Sequence, residues 1–258
     1  MQTIDIGWLE LFLATTFIVV AGIVSVLMSL GLIRSLLIAT LRTYLQLIAL
    51  GFILVWIFSI NSAPLVLSLF SIMILLTAQT IMSRVKNRPP RLYVRTVSAI
   101  FLSAIIVTFS VIGLVIKPTV WYDPRYLLTI GGMILGNSMN GVALTLERLF
   151  DDLHKRTAEV NQTLAFGGTL WEVSLPSIRT ALIAGLLPTI NSMNAVGLVF
   201  IPGMMTGQLL AGAEPMQAAK YQVVVMLMIS AATALGAMGT ILLCYEKAFN
   251  TEWQLQSF

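Results

Sequence analysis

Residues 43–83 read TYLQLIALGFILVWIFSINSAPLVLSLFSIMILLTAQTIMS, forty-one positions without a charged side chain between Arg42 and Arg84. A helix crossing a bilayer takes about 20 apolar residues, so this run holds two. Asn61-Ser62-Ala63-Pro64 interrupts it in the middle with the residue types of a tight turn. A hairpin of two membrane spans is therefore written into the first third of the chain. The rest agrees with it: of 258 residues 58% are hydrophobic and only 10% charged, and the mean hydropathy is +0.93. Soluble domains carry about 25% charged residues, so a water-soluble fold is excluded. One cysteine, Cys244, leaves no disulfide framework, and one histidine, His154, leaves no multi-histidine metal site.

Outward from the hairpin, residues 11–33 form a first span, 96–116 a fourth, 126–146 a fifth and 221–245 a seventh. Residues 180–213 are uncharged for 34 positions. One helix of that length would run about 51 Å at 1.5 Å per residue, against a hydrocarbon core of about 30 Å. Pro202-Gly203 and Gly207 predict a break, giving a full sixth span followed by a short re-entrant or interfacial piece. Basic residues set the orientation. With the N-terminus outside, twelve of them (Arg34, Arg42, Arg84, Lys86, Arg88, Arg91, Arg95, Arg148, Lys155, Arg156, Arg179 and Lys247) fall on the cytoplasmic side, and only Lys117, Arg125 and Lys220 fall outside. Trp8, Trp56 and Trp121-Tyr122 then sit at the outer interface, as an aromatic belt requires. Asp5 and Glu10, with no basic residue beside them, do not read as a signal peptide. The expected fold is an all-α polytopic membrane protein of about seven transmembrane helices, N-terminus outside and C-terminus in the cytoplasm. It forms a single transmembrane domain over residues 1–258, multi-pass in the inner or plasma membrane.

The only long charged stretch, residues 147–179, lies between spans five and six. Leu146, Leu149, Phe150, Leu153, Val160 and Leu164 recur at helical spacing, so span five is expected to continue as an amphipathic cytoplasmic helix. Phe166-Gly167-Gly168 ends it, glycine tolerating the positive φ of a helix terminus. Thr169-Leu170-Trp171-Glu172 has the form of a capping box, and Pro176 limits the short transverse helix that follows.

Residues 159–176, centred on Leu164-Ala165-Phe166-Gly167-Gly168, resemble the cytoplasmic coupling loop of ABC-transporter membrane subunits. The resemblance widens to the FetB-like (YbbM-type) permeases. It is carried by Arg42-Thr43-Tyr44-Leu45-Gln46-Leu47, Pro124-Arg125-Tyr126, Gly132-Met133-Ile134-Leu135-Gly136-Asn137-Ser138-Met139, Gly197-Leu198-Val199, Pro202-Gly203-Met204-Met205-Thr206-Gly207-Gln208 and Tyr221-Gln222. Members are implicated in iron export and related to plant aluminium-tolerance subunits. The resemblance implies a permease working as a homodimer by alternating access. A separate ABC ATP-binding subunit would bind ATP-Mg, and this chain would bind no cofactor. It assigns Glu159, Leu164, Phe166, Gly167, Gly168, Thr169 and Glu172 to ATPase coupling. It also implies an acidic residue and a lysine at positions where this chain has Asn191 and Asn194, a departure that removes a carboxylate a hard cation favours.

No Asp or Glu falls inside a predicted span, which counts against a proton-coupled carrier. Amides lie there instead: Asn137-Ser138-Met139-Asn140 in span five and Asn191-Ser192-Met193-Asn194 in span six. Asparagines three apart share a helix face. Asn137, Asn140, Asn191 and Asn194, with Gln208 and Gln46, are expected to form a polar girdle around a central pathway; the alternative is interhelical hydrogen-bond glue. Met133, Met139, Met193, Met204 and Met205 offer thioethers to a soft ion, or else serve as apolar filler. Arg42 either snorkels to headgroups or binds an anionic or coupling partner, and the basic cluster of residues 84–95 serves topology and anionic lipid attraction. Gly132/Gly136 and Gly203/Gly207 have the spacing of close helix contacts, within one bundle or between subunits.

No lysine follows a glycine, so the chain has no Walker A motif. An intramembrane protease would need a serine–histidine pair, an HExxH zinc motif or two intramembrane carboxylates, and none is present. A channel or facilitator independent of ATP is the competing reading, but it gives the charged loop no role. The partners expected are therefore an ATP-binding subunit, a second copy of the permease and the lipid bilayer, with no nucleic acid.

Overall fold

A computed structural model describes residues 7–60, 62–85, 89, 92–250 and 252–256. Asp5, Asn61, Lys86, Arg88 and Arg91 lie outside the described residues. The elements are α1 (Trp8–Leu27), α2 (Ile33–Ile60), α3 (Ala63–Arg84), α4 (Tyr93–Ser110, continued by a π-helical turn Val111–Ile116), α5 (Pro124–Lys155), α6 (Thr157–Ala165), α7 (Leu170–Ala195), α8 (Gly203–Leu210) and α9 (Pro215–Cys244). Seven of the described helices are long and apolar enough to cross a membrane. The chain is a multi-pass, all-α membrane protein, as the hydropathy predicts.

It divides into two compact units. One is built from α1 and α2 together with Leu210–Gly212. Here α1 and α2 are held together by Tyr44, whose hydroxyl donates to the Leu11 carbonyl at 2.8 Å and lies 2.6 Å from Thr15 Oγ1. The other contains α3 to α7, most of α8, and α9, with α5 at its centre against α3, α7 and α9. Its core is apolar: Leu127, Ile134, Val142, Leu146, Leu149 and Phe150 of α5 are all buried. The starts of α5 and α9 share one device. Asp123 and Glu214 cap the first backbone N–H groups with their side chains, and Pro124 and Pro215 follow at the first helical position, where a missing N–H costs nothing.

The two helices of this unit that matter most approach through glycine. A Cβ added to Gly141 would lie 2.8 Å from the Gly185 carbonyl oxygen, and one added to Gly185 would lie 2.6 Å from the Gly141 carbonyl oxygen. Backbone meets backbone where α5 crosses α7, a closeness that only small residues permit. Neither glycine belongs to the two GxxxG spacings of the sequence. At Gly136, Gly203 and Gly207 an added Cβ would meet nothing within 4 Å, and Gly132 faces only the end of Met73.

Three expectations are corrected. Pro176 does not bound a short helix: α7 runs unbroken from Leu170 to Ala195 with Pro176 and Pro188 inside it. Each proline forfeits one backbone hydrogen bond, a loss that packing outweighs here, since Val173, Ser174, Ser177, Ile178 and Ala181 around Pro176 are buried. The expected extension of span five is not one helix, because α5 stops at Lys155 and α6 restarts at Thr157 around Arg156. The break after span six begins earlier than Pro202, at Val196, where Gly197 turns the chain at φ +80°.

Candidate functional site

At Arg156 the backbone leaves helical geometry, with φ −100° and ψ 19°, and the guanidinium fixes the bend. It donates to both carboxylate oxygens of Glu159 at 3.0 and 2.6 Å and to Ser177 Oγ of α7 at 2.9 Å, and it lies 3.9 Å from Asp152. This hydrogen bond and charge hold the Glu159 carboxyl below the usual carboxylate range. Val160 is buried, which anchors the inner face of α6. The helix ends in a Schellman motif: Gly168 N–H donates to the Thr163 carbonyl and Gly167 N–H to the Leu164 carbonyl, both at 3.0 Å, with Gly167 at φ +90°. The predicted capping box follows: the Glu172 N–H donates to Thr169 Oγ1 at 3.2 Å, and Glu172 Oε2 accepts from the Thr169 N–H at 2.8 Å. Two rigid helix ends thus meet at two glycines. Phe166 stands beside them with 83% of its surface exposed, and Trp171 packs edge-on to Tyr245 with centroids 5.5 Å apart.

The second candidate region is a cleft of about 350 Å³ between α5, α7, the residue 196–202 loop, α8 and α9. Met133, Asn137 and Asn140 of α5 face Ser192 of α7, Met204 of α8 and Gln222 of α9 across it. Asn137 Nδ2 donates to the Met133 carbonyl of its own helix at 2.8 Å, and Asn140 Oδ1 accepts from Arg84 Nη1 at 2.5 Å. Gln222 is 5% exposed and its Oε1 has no hydrogen-bond partner among the described residues. A second cleft, about 580 Å³, shares Met133, Met204 and Val225 with the first and adds Arg125, Tyr126, Gln208 and Tyr221. The Oε1 of Gln208 is also buried without a partner among the described residues. A third, about 420 Å³, shares Gln222 and Met226 with the first and is lined further by Met193 and Met205. No Asp or Glu lines any of the three. Among the described residues no group of three or more His, Cys, Asp or Glu is placed to hold a metal.

The asparagine girdle is therefore only half assembled within one chain. Asn137 and Asn140 line the cleft, whereas Asn191 and Asn194 are exposed in the last turns of α7 and Ser192 points inward in their place. Gln208 lines the adjoining cleft, and Gln46 is exposed on α2 in the other unit. Gln222 enters the sequence comparison only within Tyr221-Gln222 and without a role; its place at the head of the uncharged run of α9 is the signal that marks it.

A family profile described as "Uncharacterised protein family (UPF0014)" matches residues 8–249. The chain belongs to the UPF0014 family. It is 34% identical over 251 residues to the UPF0014 membrane protein slr1647 of Synechocystis, covering 97% of this chain and 95% of that one. It is 31% identical to the protein ALUMINUM SENSITIVE 3 of Arabidopsis thaliana, over 98% of this chain and 94% of that one. It is 30% identical to the probable iron export permease protein FetB of Escherichia coli, over 95% and 93%. No solved structure matches the chain.

Proposed function

We propose that this UPF0014 chain is the membrane-spanning permease subunit of an ABC transporter. It moves its cargo by alternating access, powered by a separate ATP-binding subunit, with the N-terminus outside and α6 in the cytoplasm. The observation that carries the proposal is the α6–Gly167-Gly168–α7 corner. A short helix is clamped by Arg156, closed by a Schellman motif, followed at once by a capped helix, and it presents an exposed phenylalanine to an aqueous partner. Force applied there passes directly into α7, and from α7 into α5 through the Gly141–Gly185 contact. The name of FetB, a probable iron export permease, supports metal export as the direction and class of transport.

Two copies are the working unit. Asn191 and Asn194 are exposed on a membrane helix, and neither shares a side-chain hydrogen bond with another described residue. Amides facing hydrocarbon have no water to bond. A second copy laid against this surface, over the open Gly136, Gly203 and Gly207 and the exposed Leu198 and Val199, would cover them and close the girdle around one pathway.

The test is affinity purification from native membranes of the wild-type chain, Phe166→Glu and Gly167→Trp. An ATP-binding subunit is expected to co-elute with the wild type and be lost with either variant, while Phe166→Glu, altering only an exposed side chain, leaves yield unchanged. Absence of any ATP-binding protein from the wild-type eluate under mild detergent would sink the proposal and favour an ATP-independent facilitator.

A further inference from the structure

Six of the thirteen methionines, Met133, Met193, Met204, Met205, Met226 and Met228, line the three adjoining clefts. Methionine as filler belongs in a packed interior, yet among the described residues only Met82 and Met228 are buried in the core. The others border open space. Met133 and Met204 occupy the wall common to the first and second clefts, and the buried, unpartnered Gln222 Oε1 lies on the wall common to the first and third. These groups are neutral thioethers and amide oxygens. Arg125 lines the second cleft and Arg84 reaches the first through Asn140, and no carboxylate lines either.

A hard divalent or trivalent ion is poorly served here. It needs carboxylates, of which there are none in the lining. Its desolvation also grows with the square of its charge. A soft monovalent ion avoids both objections: thioethers are its preferred ligands, and a single charge costs the least to desolvate.

We propose that Met133 and Met204 form a binding site for a soft monovalent metal ion of the Cu(I) class in the cleft that Gln222 also lines. This rests on the transport reading above and names the cargo class for the same pathway. The probe is Ag(I), which is redox-inert, offered to the purified chain in lipid nanodiscs with no ATPase present. Bound metal is measured by equilibrium dialysis, and the site is located from the 13C-methyl resonances of labelled methionines. Retention of Ag(I) with shifts at Met133 and Met204, and none at the more exposed Met28 and Met216, is the expected result. Met133→Leu and Met204→Leu should each weaken retention roughly tenfold or more, the cost of disturbing a metal's ligand set. Four outcomes overturn the site: no methyl shift, shifts at Met28 or Met216 instead, Fe(II) or Al(III) retained in preference to Ag(I), or leucine variants with wild-type affinity. Should a leucine variant fail to fold, the wild-type methyl shifts decide alone. Because no ATPase enters the assay, failure here leaves co-purification untouched, and failure of co-purification leaves Ag(I) binding untouched.

Discussion

Replacing Gly185 with alanine adds one methyl group where α7 has no room for it. The new Cβ would sit 2.6 Å from the Gly141 carbonyl oxygen and collide with Thr145 Oγ1. Ordinary contact begins near 3.4 Å, so the two helices must part by roughly 0.8 Å or the backbone must bend. Overpacking of this kind costs about 1–3 kcal/mol. The Thr145 hydroxyl, fully buried, now donates to the Gly141 carbonyl at 2.8 Å, and displacing it adds about 1 kcal/mol. Alanine returns up to about 1 kcal/mol of helix propensity. The net loss is about 2 kcal/mol, which for a chain of this size lowers the melting midpoint by about 4–8 °C. Thermal melts in nanodiscs followed by fluorescence-detected gel filtration read this directly. Gly51→Ala, on α2 with nothing within 4 Å of its added Cβ, is the control and should be neutral or slightly stabilising. Combining Gly185→Ala with Thr145→Ala removes one of the colliding groups and should recover part of the loss, a coupling of about 0.5–3 kcal/mol. A Gly185→Ala midpoint at or above wild type would refute the claim that α5 and α7 touch through their backbones.

The remaining predictions concern the corner and the cleft. Arg156→Lys cannot reproduce a fork that bonds both Glu159 oxygens and Ser177 together, so hydrogen exchange in α6 should quicken while α5 and α9 stay protected. With the wild-type pair the Glu159 carboxyl is held low by the Arg156 hydrogen bond. The pair's contribution is therefore present at neutral pH and lost only as pH falls through that lowered value; a nitroxide at Gln162→Cys should stay immobile through the ordinary carboxylate range and loosen below it. Thr169→Ala removes the cap of α7 and should cost about 1 kcal/mol in the same thermal melt. Asn137 satisfies its amide on its own helix, so Asn137→Leu should leave the stability within about 0.5 kcal/mol of wild type while abolishing transport in vesicles; a destabilised protein would return the residue to a packing role.

How far the sequence could be read depended on whether a feature was local. The seven spans follow from hydropathy, the capping box from four consecutive residues and the glycine stop of α6 from two, and all are where local chemistry puts them. Pro176 misled because its rule is a soluble one: a lost backbone bond is readily exposed to water, but in a bundle the flanking buried residues carry the helix through it. The two copies of Asn-Ser-Met-Asn are placed differently for another reason. Identical tetrapeptides need not present the same face, since the face is set by the neighbours. In α5 Ser138 is buried and bonds the Ile134 carbonyl at 2.6 Å, turning Asn137 and Asn140 to the cleft. In α7 Ser192 itself lines the cleft, and Asn191 and Asn194 rotate outward with it. Gly141 and Gly185 were invisible, because no spacing joins residues so far apart in the chain; only the register of two antiparallel helices does. That register also explains why the corner and the cleft belong to one device. The α7 helix begins at the capped corner, touches α5 at Gly185 and reaches the cleft one turn later at Pro188 and Thr189. Any displacement of its start must therefore be felt at the glycine contact before it reaches the asparagines.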